Sequence, residues 1–257
     1  PKVVSGYSQN CLNLVSKFYN LFFEKVVKAR SLEVAEFSKL LENIYRSVNI
    51  GFVNEMKLLA DKMNLDIFEI INVAKSKPHG FRAFDPGPGI GGHCIPIDPL
   101  YLYWKAKKIG FSANFIKLSS KTNSNVINFI KLKMLKVLKE KKIKKNNAKI
   151  LLLGMAYKRN VDDLRESGSI HLMNMLLKEN IGKIEWSDPH INNILLTSKF
   201  GYNKKKIVIN PKNLKYFDIV LLMTDHDKFD YDMIYKNSKA IIDCRGRYSV
   251  DDKVTRA

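Results

Sequence analysis

Ile150-Leu151-Leu152-Leu153 is an apolar run that stops on Gly154. A run this short, closed by a breaker, reads as a strand buried on both faces. Downstream, Lys183-Ile184-Glu185-Trp186 and Ile207-Val208-Ile209 read as strands, Ile219-Val220-Leu221-Leu222-Met223 and Ala240-Ile241-Ile242-Asp243 are further apolar runs, and residues 169–179 read as a helix. Strands alternating with helices predict a parallel, doubly wound sheet that takes ligands at the carboxyl ends of its strands. Residues 143–257 are therefore expected to form a Rossmann-like α/β domain. No G-x-G-x-x-G follows the first strand. Tyr157-Lys158-Arg159 and Asp163-Leu164-Arg165-Glu166-Ser167 stand there instead. Cations at the crest of a strand beside a helix start suit phosphate.

Upstream the grammar differs. Residues 9–142 carry a helical period with hardly any alternation, and predict an all-helical domain. Lys2-Val3-Val4, ahead of it, reads as the end of a strand, so residues 1–8 are expected to close a preceding domain. The longest helix is predicted over residues 32–63. Phe37, Leu40, Leu41, Ile44, Val48, Phe52 and Leu59 fall on one side, with Lys39, Asn43 and Asn54 opposite. A polar stripe of this kind is ordinarily a solvated face. Asparagine is a poor helix former, however, and Asn43, Asn49 and Asn54 in one helix point to polar positions kept for a purpose. Lys39 and Asn43 are one turn apart and can meet one ligand atom, whereas Asn54 lies about 22 Å beyond Lys39 and serves something else. Further helices are expected over residues 100–108 and 115–141, the last leading into the α/β domain.

Between these helices runs Pro86-Gly87-Pro88-Gly89-Ile90-Gly91-Gly92-His93-Cys94-Ile95-Pro96-Ile97-Asp98-Pro99. Four of the chain's 13 glycines lie between Gly87 and Gly92, and five of its 8 prolines between Pro78 and Pro99, so backbone can approach a ligand closely within stiffened turns. The loop ends on Cys94, with Asp98 four residues later. That pattern reads as a presented thiol nucleophile with an acid/base partner. Cys11 and Cys244, among apolar neighbours, read as small buried hydrophobes without chemistry.

Composition bounds the alternatives. The 257 residues suffice for one large or two ordinary domains. Three cysteines at unrelated spacings argue against a disulfide framework, for a reducing, cytoplasmic setting, and against a zinc cluster. No apolar run approaches the roughly 20 residues that cross a bilayer, and no signal peptide is visible. A formal charge of +19 invites nucleic acid. The lysines are spread along helix faces and no nucleic-acid motif appears, so the field is assigned to anionic small molecules, with neither nucleic acid nor membrane as partner.

Taken together, Glu42-Asn43-Ile44-Tyr45-Arg46-Ser47-Val48-Asn49-Ile50, residues 86–102 and residues 154–167 resemble the UDP-glucose/GDP-mannose dehydrogenase family of nucleotide-sugar 6-dehydrogenases. Gly-Gly-His-Cys-Ile-Pro at 91–96, residues 225–231 and Asp243-Cys244-Arg245-Gly246 are most similar to its bacterial UDP-N-acetylhexosamine branch. The resemblance implies two successive hydride transfers to NAD that turn the sugar C6 alcohol into a carboxylate, with UDP-N-acetylglucosamine as the leading substrate and UDP-N-acetylmannosamine, UDP-glucose or a non-catalytic dimerisation and nucleotide-binding role as the alternatives. Cys94 would trap the aldehyde as a thiohemiacetal, which becomes a thioester. Lys39 and Asn43 would stabilise the C6 oxyanion, and Asp98 would serve the water or set the charge of Lys39. Gly91, Tyr157, Lys158 and Arg245 would hold the UDP-sugar, Arg165 would reach the cofactor, and the loop over residues 75–82 would reach a neighbouring subunit. It also implies a homodimer through the central helical domain. An N-terminal Rossmann domain would precede Pro1, so the 257 residues alone are expected to turn over slowly or not at all.

Overall fold

The structure is a computed structural model, described over residues 1–77, 79–194 and 206–257. It opens with strand β1 (Lys2–Val4), helix α1 (Gln9–Asn20) and strand β2 (Val26–Lys28), which pairs parallel with β1. The helical expectation for residues 9–142 fails at β2. Three residues ending in lysine carry no readable alternation, and β1 supplies their hydrogen-bonding partners. Four helices follow, α2 (Leu32–Lys62), α3 (Ile67–Ala74), α4 (Asp98–Lys108) and α5 (Asn114–Glu140). Ser31 starts α2 by accepting from the Val34 N–H at 3.3 Å, and Asp66 starts α3 by accepting from Phe68 at 2.9 Å.

The remaining elements are β3 (Lys149–Leu153), α6 (Gly168–Lys178), β4 (Lys183–Ser187), α7 (Pro211–Tyr216), β5 (Ile219–Leu222), α8 (Tyr231–Asn237), β6 (Ile241–Asp243) and β7 (Val254–Arg256). The sheet runs β4-β3-β5-β6-β7, parallel throughout. Alternate residues divide between its two faces. Ile150, Leu152, Ile219, Leu221 and Ile242 pack under α5 and α6, while Leu151, Leu153, Val220, Leu222 and Ile241 pack under α7 and α8. Both faces being covered explains why these strands read as continuous apolar runs. Ile207-Val208-Ile209, expected as a strand, stays outside the sheet. Its Ile207 N–H reaches the Trp186 carbonyl, at 3.0 Å, and Asn210 then caps α7.

Helix α5 belongs to both halves. Val126, Ile130, Met134 and Leu138 join the sheet's core, and its first turns cross α2. The crossing reverses the ordinary sense of an amphipathic helix in α2. Asn43, Ser47, Gly51 and Asn54 are buried, whereas Phe37, Leu41, Phe52 and Leu59 are about half exposed. The polar stripe is the packed one, because α5 meets it with polar groups of its own. The Asn54 amide donates to Asn123 Oδ1 at 2.9 Å, and Asn123 donates to the Ser47 carbonyl at 3.1 Å. Gly51 allows the approach, since a Cβ there would lie 3.1 Å from Ser119 Cα.

One buried group in this crossing is unpaired. Lys57 is 2% exposed, its Nζ has no hydrogen-bond partner among the described residues, and it lies 5.8 Å from the Phe129 ring centroid. Burial pushes its ammonium from 10.5 down to about 8, against the pull of Asp243 and Asp61. Below about pH 8 the folded state therefore carries the full cost of the buried charge, and that cost fades as pH rises to 10.5. Lys57→Met is expected to raise stability at pH 7 by on the order of 1–3 kcal/mol in urea unfolding. The gain should shrink between pH 8 and 10.5; a loss of stability at pH 7 would contradict this reading.

Candidate functional site

The glycine-rich segment is fastened at both ends. The Gly87 N–H donates to Asn54 Oδ1 at 3.0 Å, and the Gly92 N–H donates to the Arg165 carbonyl at 2.8 Å. Asn54 thus positions the loop, the separate duty its distance from Lys39 implied. Gly92 holds φ +90°, a conformation that few side chains tolerate. At Gly91 a Cβ would fall 2.4 Å from Tyr157 Cβ, so only glycine lets the two halves close here. Cys94 follows at once and is exposed. Its carbonyl accepts from the Ile97 and Asp98 N–H groups at 3.2 and 2.8 Å, which makes Cys94 the foot of α4 and sets Asp98 one turn above it.

Asp98 Oδ2 accepts from Asn43 Nδ2 at 2.6 Å, and the Arg46 guanidinium donates to Asn43 Oδ1 at 2.5 Å. The Asn43 amide is oriented from both sides and keeps one N–H to spare. Lys39 does not join this group. Its ammonium pairs with Glu42 at 3.1 Å and its side chain is 63% exposed. The expectation that Lys39 and Asn43 share one ligand atom is therefore not met in this conformation, because Glu42 lies one turn along the same face. Arg46 was not singled out in the sequence; its i+3 spacing from Asn43 is the signal that would have found it. Cys244 is buried, and burial pushes its thiol up to about 11. Cys11 corrects its expected burial: it is exposed, with the Ser8 hydroxyl donating to its sulfur at 3.3 Å.

The α/β half contributes the loop between β3 and α6. The Tyr157 ring covers Gly91 and Gly92, and Lys158 beside it is exposed. Arg165 reaches the Asp163 carboxylate through Nε and, at 2.6 Å, through its terminal nitrogen. Its guanidinium remains 63% exposed, open to an anion such as a cofactor phosphate. Arg245 follows β6, donates to the Met223 carbonyl at 2.7 Å, and lies where a Gly87 Cβ would meet its NH1 at 2.7 Å. In the loop over residues 75–82, Pro78 lies outside the described residues. A cavity of about 520 Å³ is lined by Ser47, Gly89, Pro96, Asn123, Glu166 and His171, and includes neither Cys94 nor Lys158. No group of metal-ligating side chains occurs among the described residues, and no helix there is long and apolar enough to cross a membrane.

The loop is held from beneath by a dyad that the sequence did not disclose. Asp188, at the end of β4, accepts from the Met155 and Ala156 N–H groups at 2.6 and 3.0 Å, and from His190 N–H at 2.7 Å. His226 Nε2 lies 3.0 Å from the same carboxylate, while its Nδ1 accepts from the Asn160 N–H at 3.0 Å. Because Nδ1 accepts, the imidazole proton belongs on Nε2 and points at Asp188. Burial alone would raise the Asp188 pKa; the hydrogen bonds from His226, Ala156 and His190 outweigh it and hold the group at about 2.

Both halves match family models. Residues 33–125 match the central domain, and residues 151–250 the UDP binding domain, of the UDP-glucose/GDP-mannose dehydrogenase family. The chain belongs to that family. It is 31% identical over 251 residues to an NDP-N-acetyl-D-galactosaminuronic acid dehydrogenase of Ralstonia solanacearum, covering 96% of this chain and 56% of the relative. It is 29% identical over 229 residues to a UDP-N-acetyl-D-glucosamine 6-dehydrogenase of Salmonella typhi, covering 89% and 52%. A solved UDP-D-ManNAc dehydrogenase from Pyrococcus horikoshii superposes with a TM-score of 0.84 at 27% identity, over 99% of this chain and 59% of that one. The chain spans about half the length of these relatives.

The Asp188 carboxylate gives a pH dependence with a definite sign. Its folded pKa is depressed, so its contribution is present above the unfolded value near 3.8 and is lost as pH falls towards 2. Asp188→Asn is expected to cost on the order of 2 kcal/mol at pH 7 in urea unfolding, with the difference from the parent closing between pH 4 and pH 2. A difference constant across that window would contradict the assignment.

Proposed function

We propose that this chain is the catalytic and sugar-nucleotide-binding part of a NAD-dependent UDP-N-acetylhexosamine 6-dehydrogenase of the cytoplasm, with UDP-N-acetylglucosamine as substrate. The observation that carries this reading is the closure of the Cys94 loop onto the Tyr157 and Lys158 loop through Gly91 and Gly92. It brings an exposed thiol and an exposed cation to one lip of the molecule.

In this reading Lys158 and Arg245 hold the phosphates, and Tyr157 with the Gly91 backbone holds the sugar. The Cys94 thiolate adds to the C6 aldehyde, the thiohemiacetal is oxidised to a thioester, and water cleaves it to the carboxylate. The spare Asn43 N–H faces the C6 oxygen as charge develops. Lys39 joins it by leaving Glu42, an exposed pair worth no more than about 1 kcal/mol. Asp98, fixed by Asn43, positions or deprotonates the water. NAD, when bound, accepts the hydride of each oxidation, and Arg165 is the residue of this chain placed for its phosphates.

Residues 1–31, with β1, α1 and β2 as one βαβ unit, are assigned to the end of a cofactor-binding domain, in place of the shorter segment 1–8. Residues 32–142 then form the helical domain and 143–257 the UDP-sugar domain. The exposed Phe37, Leu41, Phe52 and Leu59 stripe on α2 supports a homodimer through the helical domain. UDP-N-acetylmannosamine is the second substrate reading, supported by the likeness to the Pyrococcus horikoshii enzyme.

UDP-N-acetylglucosamine is expected to slow iodoacetamide alkylation of Cys94, read by peptide mass spectrometry, and to leave Cys11 unaffected. Lys158→Ala should weaken that protection about tenfold or more in ligand concentration. Equal protection by UDP-N-acetylmannosamine would favour the second substrate; no protection by either sugar would contradict the site.

A further inference from the structure

The residue before the thiol is a histidine, and it touches the sulfur. His93 Nδ1 lies 3.9 Å from Cys94 Sγ, and both side chains are exposed on the turn that Gly92 makes. Among the described residues no other titratable side chain comes within hydrogen-bonding distance of that sulfur. Asp98 is one turn away with Oδ2 engaged by Asn43, and on α2 Lys39 is paired with Glu42 and Arg46 with Asn43.

The facing loop of the α/β half supplies the charges. Asp163 lies within electrostatic reach of His93, Arg165 within reach of Cys94, and Tyr157 packs against Gly92. The Arg165 guanidinium chiefly, with some help from His93, holds the Asp163 carboxyl below its ordinary range, so it is ionised at neutral pH. An ionised carboxylate favours an imidazolium, and an imidazolium favours a thiolate.

We infer that His93 is the proton partner of the Cys94 thiol. Nδ1 takes the Sγ proton, and the thiolate so formed makes its bond to the aldehyde carbon. The carbonyl π pair moves to oxygen, and the imidazolium returns the proton there. One S–H bond and one C=O π bond are lost, one C–S and one O–H bond are made, and nothing is oxidised. The role in aldehyde capture rests on the reading of Cys94 as the nucleophile; the proton pairing itself does not.

The test is the pH profile of iodoacetamide alkylation at Cys94 in the intact chain, compared with His93→Gln, whose side chain cannot titrate. The parent is expected to inflect at a lower pH than the variant. The inflection is the criterion because a low-pKa thiolate is a weaker nucleophile, which leaves only a few-fold rate difference at pH 7. Coincident inflections in parent and variant would overturn the inference. If the inflection moves with His93 but neither protein is protected by UDP-N-acetylglucosamine, the pairing stands and the substrate reading falls.

Discussion

The close approach of the Tyr157 ring to Gly91 and Gly92 is the contact on which the rest of this molecule depends. A single methyl group at position 91 would lie 2.4 Å from Tyr157 Cβ. Without that space the N–H of Gly92 could not reach the Arg165 carbonyl. The loop bearing Cys94 would then be fixed to the helical half alone. With it, the loop that carries the thiol is tied to the α/β half as well. Each partner in the contact is itself immobilised, the glycines through Asn54 and Tyr157 through the loop that Asp188 holds. Precision at such a site comes from the supporting shell as much as from the reacting groups.

Helix α2 shows how one element can serve a core, a site and a surface. Its buried side is made of amides, small residues, Val53 and one lysine, which suits a close crossing with α5 and gives the loop an anchor in Asn54. Its apolar side faces outward. That outward stripe is the surface on which the proposed homodimer rests.

The central strands of the sheet were legible because both of its faces are covered, so each is a plain apolar run bounded by breakers, whereas the three-residue edge strand β7 was not read. Helices α2, α4, α5 and α6 were legible to within a residue or two from their period. Strand β2 was not, since three residues hold no pattern, and Ile207-Val208-Ile209 misled because local composition says nothing about a neighbouring strand. Asn43 and Asn54 were visible as anomalies in their helix, but which side of α2 is inward depends on Asn123 in a distant segment. Asp188 and His226 are 38 residues apart and only the fold brings them together. The Lys39 ammonium could be placed on the right face, yet its pairing with Glu42 is a choice among neighbours that periodicity does not rank.

The account turns on where a sugar sits relative to one sulfur atom. A crystal structure of this chain with UDP-N-acetylglucosamine tests that directly. Diphosphate is expected on Lys158 and the sugar's sixth carbon within about 3.5 Å of Cys94 Sγ, the spacing from which a bond can form. A nucleotide bound elsewhere, or that carbon held more than about twice that distance from the sulfur, would contradict it.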